Sequence, residues 1–270
     1  MIVVINYSDE KFEKIRKQNT ITAYKYGGAD KVIEFSPSDI DSSFREQHKD
    51  IFAYKRGAGL WIWKPYIIKK TLSTLSDDDW LLYGDSGSLY INKVQHLISC
   101  ANANRKDILL FGQPLLNRQF TKREAFIKAG VVDNDENQFL GGYILLRKTM
   151  FTLKFIDEWL HMCCDVELLA PDRFNKDVEE WNDFIVHRED QSVLTLLCIK
   201  KGIKPFRDPS DYGLFPKMYS HVSGALYVPF DSKESSYPTI VLAVRKADPK
   251  QYLIKYFIKR CLSFFHLYNG

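Results

Sequence analysis

Short apolar runs alternate along this chain with longer stretches in which apolar residues recur every three or four positions. The run over residues 1–6 lacks a basic leader and is too short for a signal peptide, so it predicts a first buried strand. Ser8 and Asp9 are placed to cap a helix passing through Phe12 and Ile15 toward Tyr24, which Gly27 and Gly28 would end. Residues 31–35 predict a second strand, and this β-α-β opening predicts a mostly parallel sheet with right-handed crossovers. Farther on, the pattern predicts a loop and short helix over 39–49, a helix over 66–75, a strand over 80–84, a helix over 94–103 and a strand over 108–111, with a further apolar segment over 139–146. Phe151, Phe155, Trp159, Met162, Cys163 and Val166 recur at helical spacing and read as the core face of one long helix. After a polar surface loop over 170–182, Asp190 opens a helix whose Val193, Leu194, Leu196 and Leu197 are buried; Gly202 stops it before a short strand over 203–206.

At 270 residues, with 45% hydrophobic and 14% aromatic content, the chain has ample material for a packed core. We expect a main domain over 1–248 and a helical appendage over 249–270. A net charge of +4 without a Lys/Arg block argues against duplex nucleic acid as partner. Cys100, Cys163, Cys164, Cys198 and Cys261 are an odd number without paired metal-type spacing, which suggests reduced thiols in a cytoplasmic protein. No stretch reaches the roughly 18 apolar residues of a membrane span.

Four patterns suggest chemistry. The apolar strand Trp80-Leu81-Leu82-Tyr83-Gly84 ends in Asp85-Ser86-Gly87-Ser88, which would deliver a carboxylate to the sheet's rim, or simply make a turn. In Arg56-Gly57-Ala58-Gly59-Leu60-Trp61-Ile62-Trp63-Lys64-Pro65, two glycines can let backbone amides approach a phosphate that Arg56 or Lys64 neutralises; the tryptophans can equally be packing residues. Gly141 and Gly142 inside an apolar run indicate close approach by a ligand or another backbone, or a β-bulge. In His187-Arg188-Glu189-Asp190-Gln191-Ser192, Asp190 is either a helix N-cap or a carboxylate that holds or deprotonates a sugar hydroxyl.

In this order, from about Ile2 to about Gly224, the segments resemble bacterial glycosyltransferases of the GT-A fold, particularly those of capsule and O-antigen assembly. The closest points are residues 55–66, the Tyr83-x-Asp85-x-Gly87 strand end and Arg188-Glu189-Asp190-Gln191-Ser192. The resemblance implies an α/β fold with a mostly parallel central sheet flanked by helices, and transfer of a sugar, a hexose in the usual case, from a nucleotide diphosphate sugar to an acceptor hydroxyl. UDP is the preferred nucleotide because it is common among such enzymes. Arg56, Gly57, Gly59, Lys64, Tyr83, Asp85, Ser86, Gly87 and Lys217 would then bind the donor, with Lys204 and Arg207 as alternative diphosphate partners. Gly141, Gly142, Trp63, His187 and Arg188 would face the sugars, and Asp190 with Glu189 would act on or orient the acceptor.

Such enzymes often hold Mn²⁺ or Mg²⁺ on an Asp-x-Asp motif. Asp85 matches its first position, but Gly87 replaces the second acid, leaving Asp85, a Ser86 or Ser88 hydroxyl and His221 as candidate ligands, and metal-independent catalysis open. Gly87 also supports a second reading, a non-catalytic nucleotide-sugar or glycan-binding subunit. Sugar nucleotidyl transfer is a third, although an N-terminal glycine-rich signature for it is missing. The tail mixes Leu253, Ile254, Phe257, Ile258, Phe264 and Phe265 with Lys250, Lys255, Lys259 and Arg260, which fits either an inner-leaflet membrane interface beside a polyprenyl-linked acceptor or packing on the domain or in a dimer.

Overall fold

The computed structural model describes residues 1–132, 135–245 and 247–265. Strands β1 (Ile2–Tyr7), β2 (Lys31–Phe35) and β3 (Trp80–Gly84) pair in parallel, with β1 central. The chain then forms β4 (Leu89–Tyr90), β5 (Ile108–Leu116), β6 (Asn137–Arg147), β7 (Phe206–Arg207) and β8 (Val241–Leu242). The main sheet has the order β2-β1-β3-β6-β5-β7, and β6 alone runs against the other five; β4 and β8 make a small second sheet.

Helices cover both faces of this sheet, which is why its strands read as nearly continuous apolar runs. Leu81 and Tyr83 of β3 join Val3 and Ile5 of β1 on one face, under the helices Trp63–Leu72, Met150–Cys163 and Glu189–Lys200. Trp80 and Leu82 join Val4 on the other, under the helix Gln95–Ala103. The sheet is thus the middle of three layers.

Several boundaries differ from the sequence reading. β5 continues through Gly112-Gln113-Pro114 to Leu116, because Gly112 and Leu116 still find partners on β6 where the Gly and Pro suggest a stop. The last strand of the main sheet is Phe206–Arg207 rather than 203–206. The long helix ends at Cys163, and Val166 starts a separate turn: the Asp165 carboxylate accepts from the Glu167 amide at 3.0 Å and caps the new start. The cysteines are all free thiols.

Inner residues of the C-terminal helix Pro249–Phe264 pack on the domain, with Tyr256 buried among Phe215, Leu242 and Val244. Residues 266–270 of the expected appendage lie outside the described residues. No described helix is long and apolar enough to cross a membrane.

Candidate active site

The parallel strands bring the loops after β1, β3 and β7 to one edge of the sheet, and antiparallel β6 brings its first half to the same edge, where Tyr143 pairs with Gly84 and Phe139 with Gly112. A cavity of about 460 Å³ opens there, at the place where open α/β sheets take ligands. Tyr7, Ser8 and Asp9 line it from β1; Tyr83, Asp85, Ser86 and Gly87 from β3; Gly142 and Tyr143 from β6; Asp208, Ser210 and Tyr219 from beyond β7; and Arg245 from beyond β8.

Asp85 stands at the exposed end of a fully buried strand, and its Oδ1 accepts the Tyr83 hydroxyl at 2.7 Å. Burial, and then the Asp85 charge, push the Tyr83 phenol far above its usual range, so Tyr83 is a fixed donor that orients the carboxylate. The other oxygen faces β6, where a Cβ on Gly142 would come within 3.1 Å of Asp85 Oδ2. The two glycines therefore serve close approach by side chains. A Cβ on Gly141 would lie 3.4 Å from both Asp190 Oδ2 and Lys64 Nζ. They also mark an irregularity in the ladder, since the pairing with β5 jumps from Ile144 to Phe139 there.

The roof is formed by residues 57–61, which all have positive φ: +60° at Gly57, +50° at Ala58, +94° at Gly59, +54° at Leu60 and +60° at Trp61. A left-handed turn costs roughly 1–2 kcal/mol for each residue with a Cβ, so packing must hold it. Gly57 is needed because a Cβ there would fall 2.3 Å from the Trp61 ring. Trp63 donates from Nε1 to the Gly57 carbonyl at 2.8 Å and stacks on Tyr7 at 3.6 Å between ring centres. The expectation that this turn offers amides to a phosphate fails on its hydrogen bonds. The amides of Ala58, Gly59, Leu60 and Trp61 donate to the carbonyls of Lys55, Tyr54, Arg56 and Gly57. Gly57, Trp61 and Trp63 line the cavity, whereas Gly59 is buried against Phe52.

The charges expected to meet the ligand from this segment are instead paired behind the cavity. Lys64 Nζ lies 2.6 Å from Asp190 Oδ2, and both residues are buried. Burial lifts the Asp190 carboxyl to about 6 against the pull of Lys64; burial also disfavours the Lys64 charge, but Asp190 and Asp85 together outweigh it and raise its pKa. Arg56 Nε meets Glu189 Oε1 at 2.5 Å, with the guanidinium over the Trp61 ring. Asp190 does not cap its helix: the helix begins at Glu189, and the Arg188 amide is taken by the Ser192 hydroxyl at 2.9 Å. Neither acid lines the cavity.

Other expected contacts are also structural. His187 is buried, accepts the Lys122 amide on Nδ1 and faces the Leu168 carbonyl through Nε2; burial and then Lys122 drop its pKa to about 3, so it is a neutral packing residue. Arg188 sits 3.8 Å over Phe120 and donates to Gln113 and Gln138. Lys204 pairs with Glu136, and Arg207 donates to the Tyr237 carbonyl, both away from the cavity. Lys217 lies on the turn Pro216–His221 and does not line the cavity.

The proposed cation ligands do not fit a hard divalent ion, which wants about six oxygens. His221 is exposed, turns Nδ1 to the Met218 carbonyl and is absent from the cavity wall. The Ser88 hydroxyl is engaged with Tyr143 at 2.7 Å. Among the described residues no three His, Cys, Asp or Glu side chains gather as a cation site.

Sequence reasoning missed Ser8, Asp9, Asp208 and Arg245. Ser8 and Asp9 read as helix caps, but Asp9 makes no cap bond, and Ser8 Oγ and Asp9 Oδ1 have no protein partner. The strand-end signal that picked out Asp85 applies to them equally. Asp208, raised by burial, has both oxygens occupied, by the Tyr219 hydroxyl at 2.6 Å and the Ser210 amide at 2.7 Å. Lys55, at the mouth of the left-handed turn, is a further wall cation.

No family model and no curated protein matches the chain. Among solved structures, the galactosyltransferase LgtC in complex with donor and acceptor sugar analogues is similar over 96% of each chain, at 16% identity and a TM-score of 0.50. The fold is GT-A-like. Mouse xyloside xylosyltransferase 1 is similar over 90% of this chain and 97% of its own, at 10% identity and a TM-score of 0.48. The glycosyltransferase GlyE of Streptococcus pneumoniae TIGR4 is similar over 96% of this chain and 63% of its own, at 14% identity and a TM-score of 0.41.

Proposed function

We propose that this chain is a glycosyltransferase that moves a sugar from a nucleotide diphosphate sugar, with UDP as the preferred nucleotide, to an acceptor hydroxyl. The observation that carries the reading is the cavity itself. In a GT-A-like frame, Asp85 and the partnerless oxygens of Ser8 and Asp9 stand together at the carboxyl ends of β1 and β3, inside a pocket of nucleotide-sugar size. Ser8 and Asp9 offer hydrogen bonds to the nucleoside, and Asp85, held by Tyr83, faces the sugar or the diphosphate. Asp190 and Glu189 act as positioning residues through Lys64 and Arg56.

The acceptor we favour is a lipid-linked glycan of surface polysaccharide synthesis, with a capsule or O-antigen unit as the setting and the cytoplasmic face of the membrane as the place. The C-terminal helix supports this. Its outer face exposes Ile254, Phe257 and Ile258, while Lys255 and Arg260 are exposed beside them, an arrangement suited to anionic headgroups.

The test is release of UDP from a panel of UDP-sugars by the purified protein, with Asp85→Asn alongside. Asp85→Asn should lower kcat/KM about 100-fold, as expected when an electrostatic group at the reacting centre is neutralised. Because Asp85 is exposed, its melting temperature should stay close to wild type. Nucleotide-sugar binding without turnover would favour instead the binding-subunit reading, for which Gly87 speaks.

A further inference from the structure

We propose that Arg245 takes the place of a divalent cation in this chain, neutralising the departing diphosphate so that transfer proceeds without metal. The inference rests on the donor reading above and is carried by the surroundings of Gly87. A Cβ at position 87 would lie 3.0 Å from the Arg245 Cα and 3.4 Å from the Arg245 amide nitrogen. The Arg245 amide also donates to the Gly87 carbonyl at 2.7 Å, clamping the two backbones together. An acidic side chain beside Asp85 at this position would need the Arg245 backbone to move away by a few tenths of an ångström, because what its Cβ meets at 3.0 Å is backbone rather than the end of a flexible side chain.

The same contact carries a cation to the cavity wall. Arg245 is exposed, its guanidinium carbon lies 5.3 Å from the Tyr212 ring centre, and both residues border the cavity that Asp85 lines. Its backbone has φ of +54°, a conformation that a residue with a side chain rarely adopts, and the Gly87 contact fixes it. Among the described residues no carboxylate pairs with Arg245, so its fork of donors is available to a planar or tetrahedral oxyanion. The segment that crowds the place of a second acid thus also delivers a guanidinium to the cavity wall.

The step balances with no further reactant. The bond from the anomeric carbon to the diphosphate oxygen breaks, and its electron pair leaves with the nucleoside diphosphate. The acceptor oxygen bonds to the anomeric carbon and gives up its proton, so donor and alcohol yield glycoside, nucleoside diphosphate and one proton. Charge grows on the diphosphate oxygens, which is where a guanidinium placed in advance lowers the barrier.

Calorimetric titration of the full chain with UDP, in EDTA and again with Mn²⁺, tests this. Wild type should bind UDP with the same affinity in both buffers, within about twofold. Arg245→Ala should weaken UDP about tenfold or more and UMP much less, while Arg245→Lys keeps most of the affinity, as expected for a charged hydrogen bond. Thermal unfolding of each variant shows whether a loss reflects the fold. Binding of UDP that requires Mn²⁺ overturns the inference and leaves the donor reading intact. Full affinity in Arg245→Ala, or a loss confined to Lys55→Ala, overturns the role of Arg245. Failure of UDP, GDP, CDP, ADP and dTDP to bind wild type in either buffer removes the donor reading and this inference with it.

Discussion

Two charged regions lie back to back across Gly141 and Gly142 of β6, and they are built in opposite ways. Behind the strand, Lys64 with Asp190 and Arg56 with Glu189 are matched at 2.6 and 2.5 Å, and both acidic residues are buried. In front, Asp9, Asp85, Lys55 and Arg245 border a cavity, and none of them is in an ion pair within the described residues. A buried charge must be neutralised by the protein itself, whereas a charge facing a cavity can be left for a ligand. Residue type alone does not distinguish the two cases. The rear pairs hold the wall, and the front groups are the ones with capacity to bind.

The largest effect should come from unpairing the rear layer. Lys64→Ala leaves Asp190 buried without its cation and should cost about 3–5 kcal/mol of stability at pH 8. The pH dependence has a definite sign. Burial holds the folded Asp190 carboxyl at about 6, above its ordinary value of 3.8, so the folded state binds the proton more tightly. That contribution to stability is full below the unfolded value and is lost as pH rises through the folded one. Removing Lys64 takes away the partner that compensates at higher pH, so the penalty should be clearly smaller at pH 5, where Asp190 is protonated. Urea unfolding at the two pH values measures this. An equal penalty at both would mean that Lys64 acts by packing, and the contrast between the two layers would fail.

The dividing strand itself gives an intermediate effect that sorts the layers by readout. Added methyls in tight sites cost about 1–3 kcal/mol. In Gly141→Ala the methyl meets Gln191, Asp190 and Lys64, so the damage should appear as lost stability with UDP affinity kept among the molecules that remain folded. In Gly142→Ala it meets Asp85 Oδ2 at 3.1 Å, so donor binding and turnover should fall more than stability does. Identical profiles for the two variants would show that front and rear are one coupled unit.

The strand over 80–84 was legible because it is apolar on both faces and stops at Gly84, while the half-buried edge strand over 31–35, which carries Lys31 and Glu34, was marked by Val32, Ile33 and Phe35 after the glycines at 27 and 28. Asp85 was legible for the same reason, as a charge where an apolar strand stops. The pairing of Lys64 with Asp190 was not, because the partners are 126 positions apart and nothing local to either sequence tells a buried pair from a ligand contact. The left-handed turn misled in a specific way. Its glycines do mark positive φ, but Gly57 answers to the Trp61 ring and the amides close on their own chain. Ser8 and Asp9 were hidden by a competing rule, since the residues that cap helices are also those that serve at strand ends. Arg245 had no local signal, because its place is set by contact with Gly87, 158 positions earlier in the chain by their numbering.

The smallest effect on the folded chain should come from the outer face of the C-terminal helix, where the rule about partnerless groups extends from charge to apolar surface. Tyr252 donates to Asp211 at 2.6 Å and Tyr256 is buried, so the inner face is already satisfied by the domain. Ile254, Phe257 and Ile258 keep 60%, 49% and 54% exposure on the opposite side. Replacing the three with Ser should change unfolding free energy within about 0.5 kcal/mol per site, as for surface positions generally. Turnover on a soluble acceptor should hold, while co-sedimentation with vesicles containing anionic lipid should be lost. Retained vesicle binding, or a large fall in stability, would mean that these side chains are already committed within the fold. In that case an exposed apolar side chain on this protein could not be read, as an unpaired cavity charge is, for the partner it awaits.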